Sequence, residues 1–208
     1  NDIFTLTFKR VEELTNEIVK YGVYYRCFGH SRKMTEQMAS ILSNSGCIET
    51  GFGAESGSQK ILDTVGKRTT VEDNKRYIVI CNKLGIRVKA FLMIGLPGEN
   101  METVKKTEGF IEFLLSKSFR NRFGKMITND FDLGIYFPYK GTHIRDSIDM
   151  NKKEYDLFFM NNPDAHQGFY KGRKGKAEGT VATSKISCHE IADIQKGLLS
   201  KYKRYVIN

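Results

Sequence analysis

Apolar positions along the first two thirds of the chain follow two alternating rhythms, one at helical spacing and one nearly continuous. Val11, Leu14, Ile18 and Tyr21 share a helix face, with Thr7 placed to cap its start and Gly22 to end it. A short β-rich run, Val23–Phe28, follows. Thr35 can cap a second helix whose apolar side is Met38, Ile41 and Leu42, closed by Gly46. Cys47–Phe52 then reads as a strand. Thr69 with Glu72 matches a capping box for a helix carrying Ile78, Cys81 and Leu84 and stopped by Gly85. Ile86–Ile94 reads as the best strand in the chain, apolar enough to be buried on both faces of a parallel sheet. Asn100 caps a helix with Val104, Ile111, Leu114 and Leu115, and Asp132–Phe137 supplies a fourth strand.

Alternating units of this kind predict an α/β fold of parallel strands with helical crossovers. A doubly wound sheet and a barrel both satisfy the pattern. Beyond about Arg145 the alternation stops: residues 151–183 read as irregular, and Ser187–Tyr205 as a final helix with Ile191, Ile194, Leu198 and Tyr202 on one side. The division expected is therefore residues 1–145 and an extension, 146–208.

The totals change this picture little. The 208 residues are 40% hydrophobic and 27% charged, ordinary for a globular protein, and contain no apolar run long enough to cross a bilayer. The net charge of +9 is spread along the helices, and its one dense cluster, Lys171-Gly-Arg-Lys-Gly-Lys176, reads as a solvated Gly-rich loop. Cys27, Cys47, Cys81 and Cys188 show no metal-ligand spacing, and no signal segment opens the sequence. Reduced thiols in the cytoplasm are the expectation, with no metal bound. His143, His166 and His189 read as surface or core residues.

Candidate chemistry lies at the carboxyl ends of the strands, where parallel α/β folds bind ligands. Gly51, Gly53 and Glu55 share one parity, so they face the same side if the strand persists. The glycines would leave room for a ligand, and the acid could accept hydrogen bonds at the rim. Equally, the glycines could serve close packing and Glu55 the start of a helix. Gly95-Leu-Pro-Gly-Glu99 and the Tyr136–Thr142 segment are turns after the next two strands.

In order and spacing, Asn1–Thr5, Tyr25–His30, Gly51–Leu62, Phe91–Glu99 and Phe131–Thr142 resemble successive strand ends of the radical S-adenosylmethionine (SAM) superfamily. The resemblance is greatest to its cobalamin-binding and methylthiotransferase-like branch. Asp2-Ile-Phe-Thr5, Arg26-Cys-Phe-Gly29, Gly51–Gln59 (GFGAESGSQ) and Met93–Glu99 (MIGLPGE) carry it.

The resemblance implies a partial (β/α)6 TIM-like barrel with an irregular and helical C-terminal extension. It also implies an enzyme whose 4Fe–4S cluster cleaves SAM reductively, with cobalamin a possible further cofactor. It assigns Arg26 to the methionine carboxylate and Glu55 and Ser56 to the ribose or methionine polar groups. Met93, Ile94 and Gly95 would line the adenine site, flanked by Tyr136, Phe137 and Pro138. The family's C-x-x-x-C-x-x-C ligand triplet does not occur in these residues. The expectation is then a barrel truncated at its N-terminal strands, inactive alone, whose partner is an upstream segment of the same protein. Loss of those strands would leave the Tyr24–Phe28 strand with an open edge, inviting self-association. The competing reading is a non-catalytic barrel shell that binds a nucleotide or RNA.

Overall fold

A computed structural model describes residues 3–150, 154–159 and 181–203. The charge cluster at 171–176 and His166 lie outside the described residues. Four strands form one parallel sheet in the order β1 (Tyr25–Phe28), β2 (Cys47–Glu55), β3 (Arg87–Ile94), β6 (Asp130–Ile135). Helix α1 (Phe8–Ile18) precedes β1, and α2 (Glu36–Asn44), α3 (Gln59–Thr64), α4 (Val71–Lys83) and α5 (Met101–Ser116) run between the strands. The α/β alternation expected from the sequence is therefore the observed architecture.

Local sequence signals set the helix ends. Thr7, Thr35 and Asn100 accept backbone N–H bonds as N-caps. The capping box of α4 lies one residue beyond the expected pair: Thr70 and Asp73 exchange the two bonds, while Thr69 is buried before the helix. Three pieces escaped the periodic reading because each is too short to show a period. They are the antiparallel pair β4 (Ser118–Arg120) and β5 (Met126–Thr128), the helix α6 (His143–Asp149) and the pair β7 (Phe158–Phe159) and β8 (Val181–Ala182).

Strand parity divides the sheet into two unlike faces. One parity enters the helix-covered core: Cys27, Phe52, Ala54, Val88, Ala90, Leu92, Ile94, Phe131 and Leu133, against Met38, Leu42, Ile78, Cys81, Ile111 and Leu114. The expected burial of β3 on both faces does not hold. Its buried residues alternate strictly with partly exposed Arg87, Lys89, Phe91 and Met93. The early part of that run was already alternating, Arg-Val-Lys-Ala, and the apolar Phe-Leu-Met-Ile that follows masked it.

Helix α7 (Cys188–Tyr202), capped by Ser187, completes the same core rather than standing apart from it. Ile191 and Leu198 are buried among the core residues, and Gln195 Nε2 donates to the Leu133 carbonyl at 2.7 Å.

Candidate functional site

The second face of the sheet changes in character from the amino to the carboxyl ends of its strands. Near the amino ends it is a band of ion pairs. Arg26 and Arg87 both approach Glu49, at 3.5 and 3.8 Å, and Lys89 lies 3.0 Å from Asp132. Lys203, from the turn after α7, reaches Asp130 at 2.7 Å. Burial acts to lower the pKa of Lys89, but the hydrogen bond and charges of Asp132 and Asp130 outweigh it and hold the ammonium above its ordinary value. The middle of the face is aromatic, where Phe28 and Phe91 meet with ring centroids 5.8 Å apart. A β-carbon on Gly51 would stand 2.9 Å from the Phe91 ring and 3.2 Å from Phe28, so the glycine makes room for these two rings.

At the carboxyl rim stands Glu55. Among the described residues it alone, other than glycines, has a positive φ, +61°. A bulge in the β2–β3 register accompanies that conformation, which non-glycine residues adopt at a cost. Its Oε1 accepts from Lys67 Nζ at 2.7 Å, and its Oε2 is buried with no partner. Beside them, His30 follows β1 with Nδ1 buried and without a partner. Burial first, and then the charges of Lys67, Lys33 and Arg32, hold the pKa of His30 below its usual value, with Asp73 opposing.

The neighbouring turn at 95–99 is held from inside. Gly95, at φ +87°, donates its N–H to Glu99 Oε2 at 2.5 Å, and the other oxygen of Glu99 is buried without a partner. Burial pushes the Glu99 carboxyl up to about 7. Thr183 Oγ1 donates to the Glu99 carbonyl at 2.9 Å, and the Gly98 N–H to the Asp156 carbonyl at 3.1 Å. Past β6, Tyr136 is half-buried with its pKa raised to about 12, chiefly by burial, and its N–H bonds the Ile94 carbonyl at 2.8 Å. Phe137 meets Tyr139 edge to face, and the Pro138 carbonyl accepts from Arg145.

The structure brings some of the sequence-derived site residues together and separates others. Glu55, Met93 and Gly95 lie at or near the rim, with Tyr136, Phe137 and Pro138 past the end of β6. Arg26 is not with them. It pairs in register with Glu49, six residues before Glu55, or about 20 Å along the strand. Its guanidinium belongs to the ion-pair band, and its side chain is 72% exposed. Ser56 and Ile94 turn to the helix side. The Ser56 hydroxyl is buried against Thr107, 3.1 Å away, and also accepts the Ser58 N–H, so it is committed to packing α5. Gly95 carries close contacts from Ile191 and Val181, so its open side is occupied by the C-terminal part of the chain. Lys67 and His30 were not singled out by sequence. His30 directly follows the Arg-x-Phe-Gly signal, whereas Lys67 lies in a loop with no periodic mark.

The cysteines do not form an iron–sulfur site. Cys27 and Cys47 lie 3.8 Å apart on the helix side, and all four thiols are free and buried. The Cys27–Cys47 hydrogen bond holds Cys27 down while that bond and burial push Cys47 up, and burial pushes Cys81 up. Thiolates, not thiols, ligate metals. Among the described residues no group of three His, Cys, Asp or Glu is placed to hold a metal ion. No helix among them is long and apolar enough to cross a membrane. At the rim, Glu55 Oε2 is a buried acceptor with no donor.

A family model described as the radical SAM superfamily matches residues 4–111. Over 147 residues the chain is 29% identical to an uncharacterized methyltransferase of Pyrococcus horikoshii, covering 69% of this chain and 29% of that protein. Over 110 residues it is 32% identical to the anaerobic magnesium-protoporphyrin IX monomethyl ester cyclase of Rubrivivax gelatinosus, covering 50% of this chain and 19% of that one. The chain thus spans less than a third of either curated relative. Among solved structures, coproporphyrinogen III oxidase from Escherichia coli, a radical SAM enzyme, superposes on 96% of this chain and 38% of its own, with TM-score 0.60 and 10% identity. A radical SAM methyltransferase from Kitasatospora setae, solved with cobalamin and a [4Fe-4S] cluster, gives TM-score 0.50 at 21% identity, over 64% of this chain and 26% of its own.

Proposed function

The chain belongs to the radical SAM superfamily, and from that premise we propose that its strand rim around Glu55 is the SAM-binding wall of a partial TIM-like barrel. The family uses SAM and a 4Fe–4S cluster, which together start radical chemistry by reductive cleavage of SAM. The described residues supply no ligand set for that cluster, so no step through it is assigned to them. The proposal places the cluster ligands in residues outside this sequence and leaves the chain inactive alone. A cytoplasmic location accords with four free thiols.

One observation supports the reading above others. At the carboxyl end of β2, Glu55 holds a strained backbone conformation with one oxygen bound to Lys67 and the other buried and partnerless. Such an oxygen is costly unless a ligand donates to it, and a nucleoside hydroxyl is a suitable donor. Met93 lies on the same face of the adjacent strand, and the Phe28–Phe91 pair forms an apolar floor below the rim. The residues themselves therefore bind and orient. Glu55 accepts hydroxyls, and the aromatic layer separates the rim from the ion-pair band.

Calorimetric titration of SAM into the purified chain tests this. Binding is expected, and Glu55→Gln should weaken it about 10-fold or more, since it replaces a charged acceptor by a neutral one. A wild-type chain that binds no SAM, or Glu55→Gln binding as tightly as wild type, would contradict the reading. So would binding of RNA in preference to SAM.

A further inference from the structure

Between Glu112 and Asp130 the chain carries Lys117, Arg120, Arg122 and Lys125 and no acidic residue. The hairpin of β4 and β5 occupies this stretch, with Met126 opposite Arg120. Its turn is held in one shape. Asn121 Oδ1 accepts the N–H groups of Phe123 and Lys125, each at 3.0 Å, and Gly124 takes a φ of +75° between them. Arg120 Nη1 closes the turn on the Gly124 carbonyl at 2.6 Å. The hairpin is also fastened to the helix layer. Arg122 Nη1 donates at 3.0 Å to the Ser43 carbonyl in the last turn of α2. A β-carbon on Gly85, just after α4, would stand 3.3 Å from the Arg122 backbone nitrogen.

This fixed turn holds an aromatic side chain out in water. Phe123 meets Tyr24 edge to face, with centroids 5.0 Å apart, and each residue is 58% exposed. Arg122 lies over the Tyr24 ring at 4.9 Å. Val23 and Met126, both exposed, add apolar surface next to them in the chain. Two rings and a guanidinium thus present flat faces on a rigid support, where folding alone gains little from them. The contacts that place Arg120 and Arg122 are to carbonyls and a ring, not to carboxylates, so they leave the positive charge in place. Tyr24 stands at the amino end of the sheet. Its neighbour Tyr25 pairs with Cys47, eight residues before Glu55, or about 25 Å along β2.

We propose that this hairpin surface, Tyr24 with Arg120, Arg122, Phe123 and Lys125, binds single-stranded RNA, with bases stacked on the two rings and phosphates held by the cations. Exposed rings interleaved with cations suit an unpaired strand, which offers a flat face on every base and a negative charge on every link. A duplex hides its base faces, and RNA is read chiefly where its bases are unpaired. An acidic protein segment would satisfy the cations without a planar group for each ring. The proposal does not rest on the SAM-wall reading. The two sites lie at opposite ends of the strands, so RNA binds alongside SAM and not in its place.

The test is fluorescence anisotropy of a labelled oligouridylate of about 12 nucleotides, titrated with the whole chain, with circular dichroism to establish folding of each variant. Binding is expected, weakening as salt rises. Phe123→Ala and Tyr24→Ala should each keep the fold and lose affinity by about 10-fold. Lys125→Gln should reduce the logarithmic salt slope by about 0.7, whereas Lys9→Gln, which removes the same charge from the start of α1, should leave the affinity unchanged. No binding by wild type, or wild-type affinity in both ring variants, overturns the proposal. Equal losses in Lys125→Gln and Lys9→Gln, or a duplex of the same length competing as well as the single strand, reduce the contact to bulk charge and also overturn it. Tighter, ring-dependent binding of a polyglutamate peptide assigns the surface to an acidic protein, and a preference for oligodeoxythymidylate assigns it to DNA. Either overturns the choice of RNA. Displacement of the oligouridylate by SAM overturns the location. A chain that binds the oligouridylate through its rings but binds no SAM keeps this proposal and contradicts the SAM-wall reading alone.

Discussion

Glu99 shows how one carboxyl can tie a strand-end turn to the pH of the medium. It is fully buried, it accepts the Gly95 N–H, and burial pushes it up to about 7 from an ordinary 4.5. The folded state therefore keeps this proton over a range where the unfolded chain has lost it. The stability it contributes is complete below about pH 4.5, is lost as pH rises toward 7, and is level beyond. The whole span is on the order of 3 kcal/mol. Glu99→Gln mimics the protonated form and still offers an acceptor to Gly95. Urea unfolding at pH 5 and pH 8 should show the variant more stable than wild type at pH 8 by about 2 kcal/mol, with the gap smaller at pH 5. Equal pH dependence in the two proteins would remove Glu99 as its source. From sequence Glu99 was only the end of a turn, because its burial depends on residues 84 positions away. Thr183 donates to its carbonyl, and nothing near Glu99 in sequence announces that. The same holds for Gly53, where the sequence reading left room for a ligand and the structure fills that room with Glu55 and Lys67.

Among the elements, the strands were legible where their neighbours are local and less so where a face is decided by distant parts of the chain. Helix starts could be read to within a residue because a cap is a contact over three positions. The unlike faces of β3 could not, since only assembly shows that Arg87 and Lys89 meet Glu49, Asp130 and Asp132 across the sheet. Strand β1 is the first in the sheet order, and among the described residues its edge pairs only at one end, where the Phe4 N–H donates to the Phe28 carbonyl at 2.8 Å. In a parallel pair the main-chain groups alternate in direction, and Tyr25 and Gly29 point theirs at β2. Arg26 therefore turns its N–H and C=O outward. With Phe28 44% exposed beside them, this edge is suited to accept a further strand. Sedimentation of the 208-residue chain should show mass rising with concentration. A single monomeric species up to high concentration would count against an adhesive edge.

For the molecule as a whole, the parallel wall, its core and its carboxyl-end rim follow from the helix–strand alternation and from four short motifs in order. The C-terminal region is the part where that reading was least informative. Helix α7 was foreseen as a helix, but its place in the same core rests on Ile191, Leu198 and Gln195 meeting β3 and β6, contacts between residues far apart in sequence. The long sequence separations matter for the site as well. They bring Val181 and Ile191 over Gly95, so the extension shapes the rim that the earlier motifs define.

The central claim is a location: SAM lies at the carboxyl rim, away from the ion-pair band at the other end of the strands. Backbone amide chemical shifts of the isotopically labelled chain, recorded during addition of SAM, test it most directly. The largest changes should fall at Gly53, Glu55, Lys67 and Gly95, with Arg26, Glu49 and Asp132 unmoved. Changes centred on Arg26 and Glu49, with the rim silent, would contradict the account.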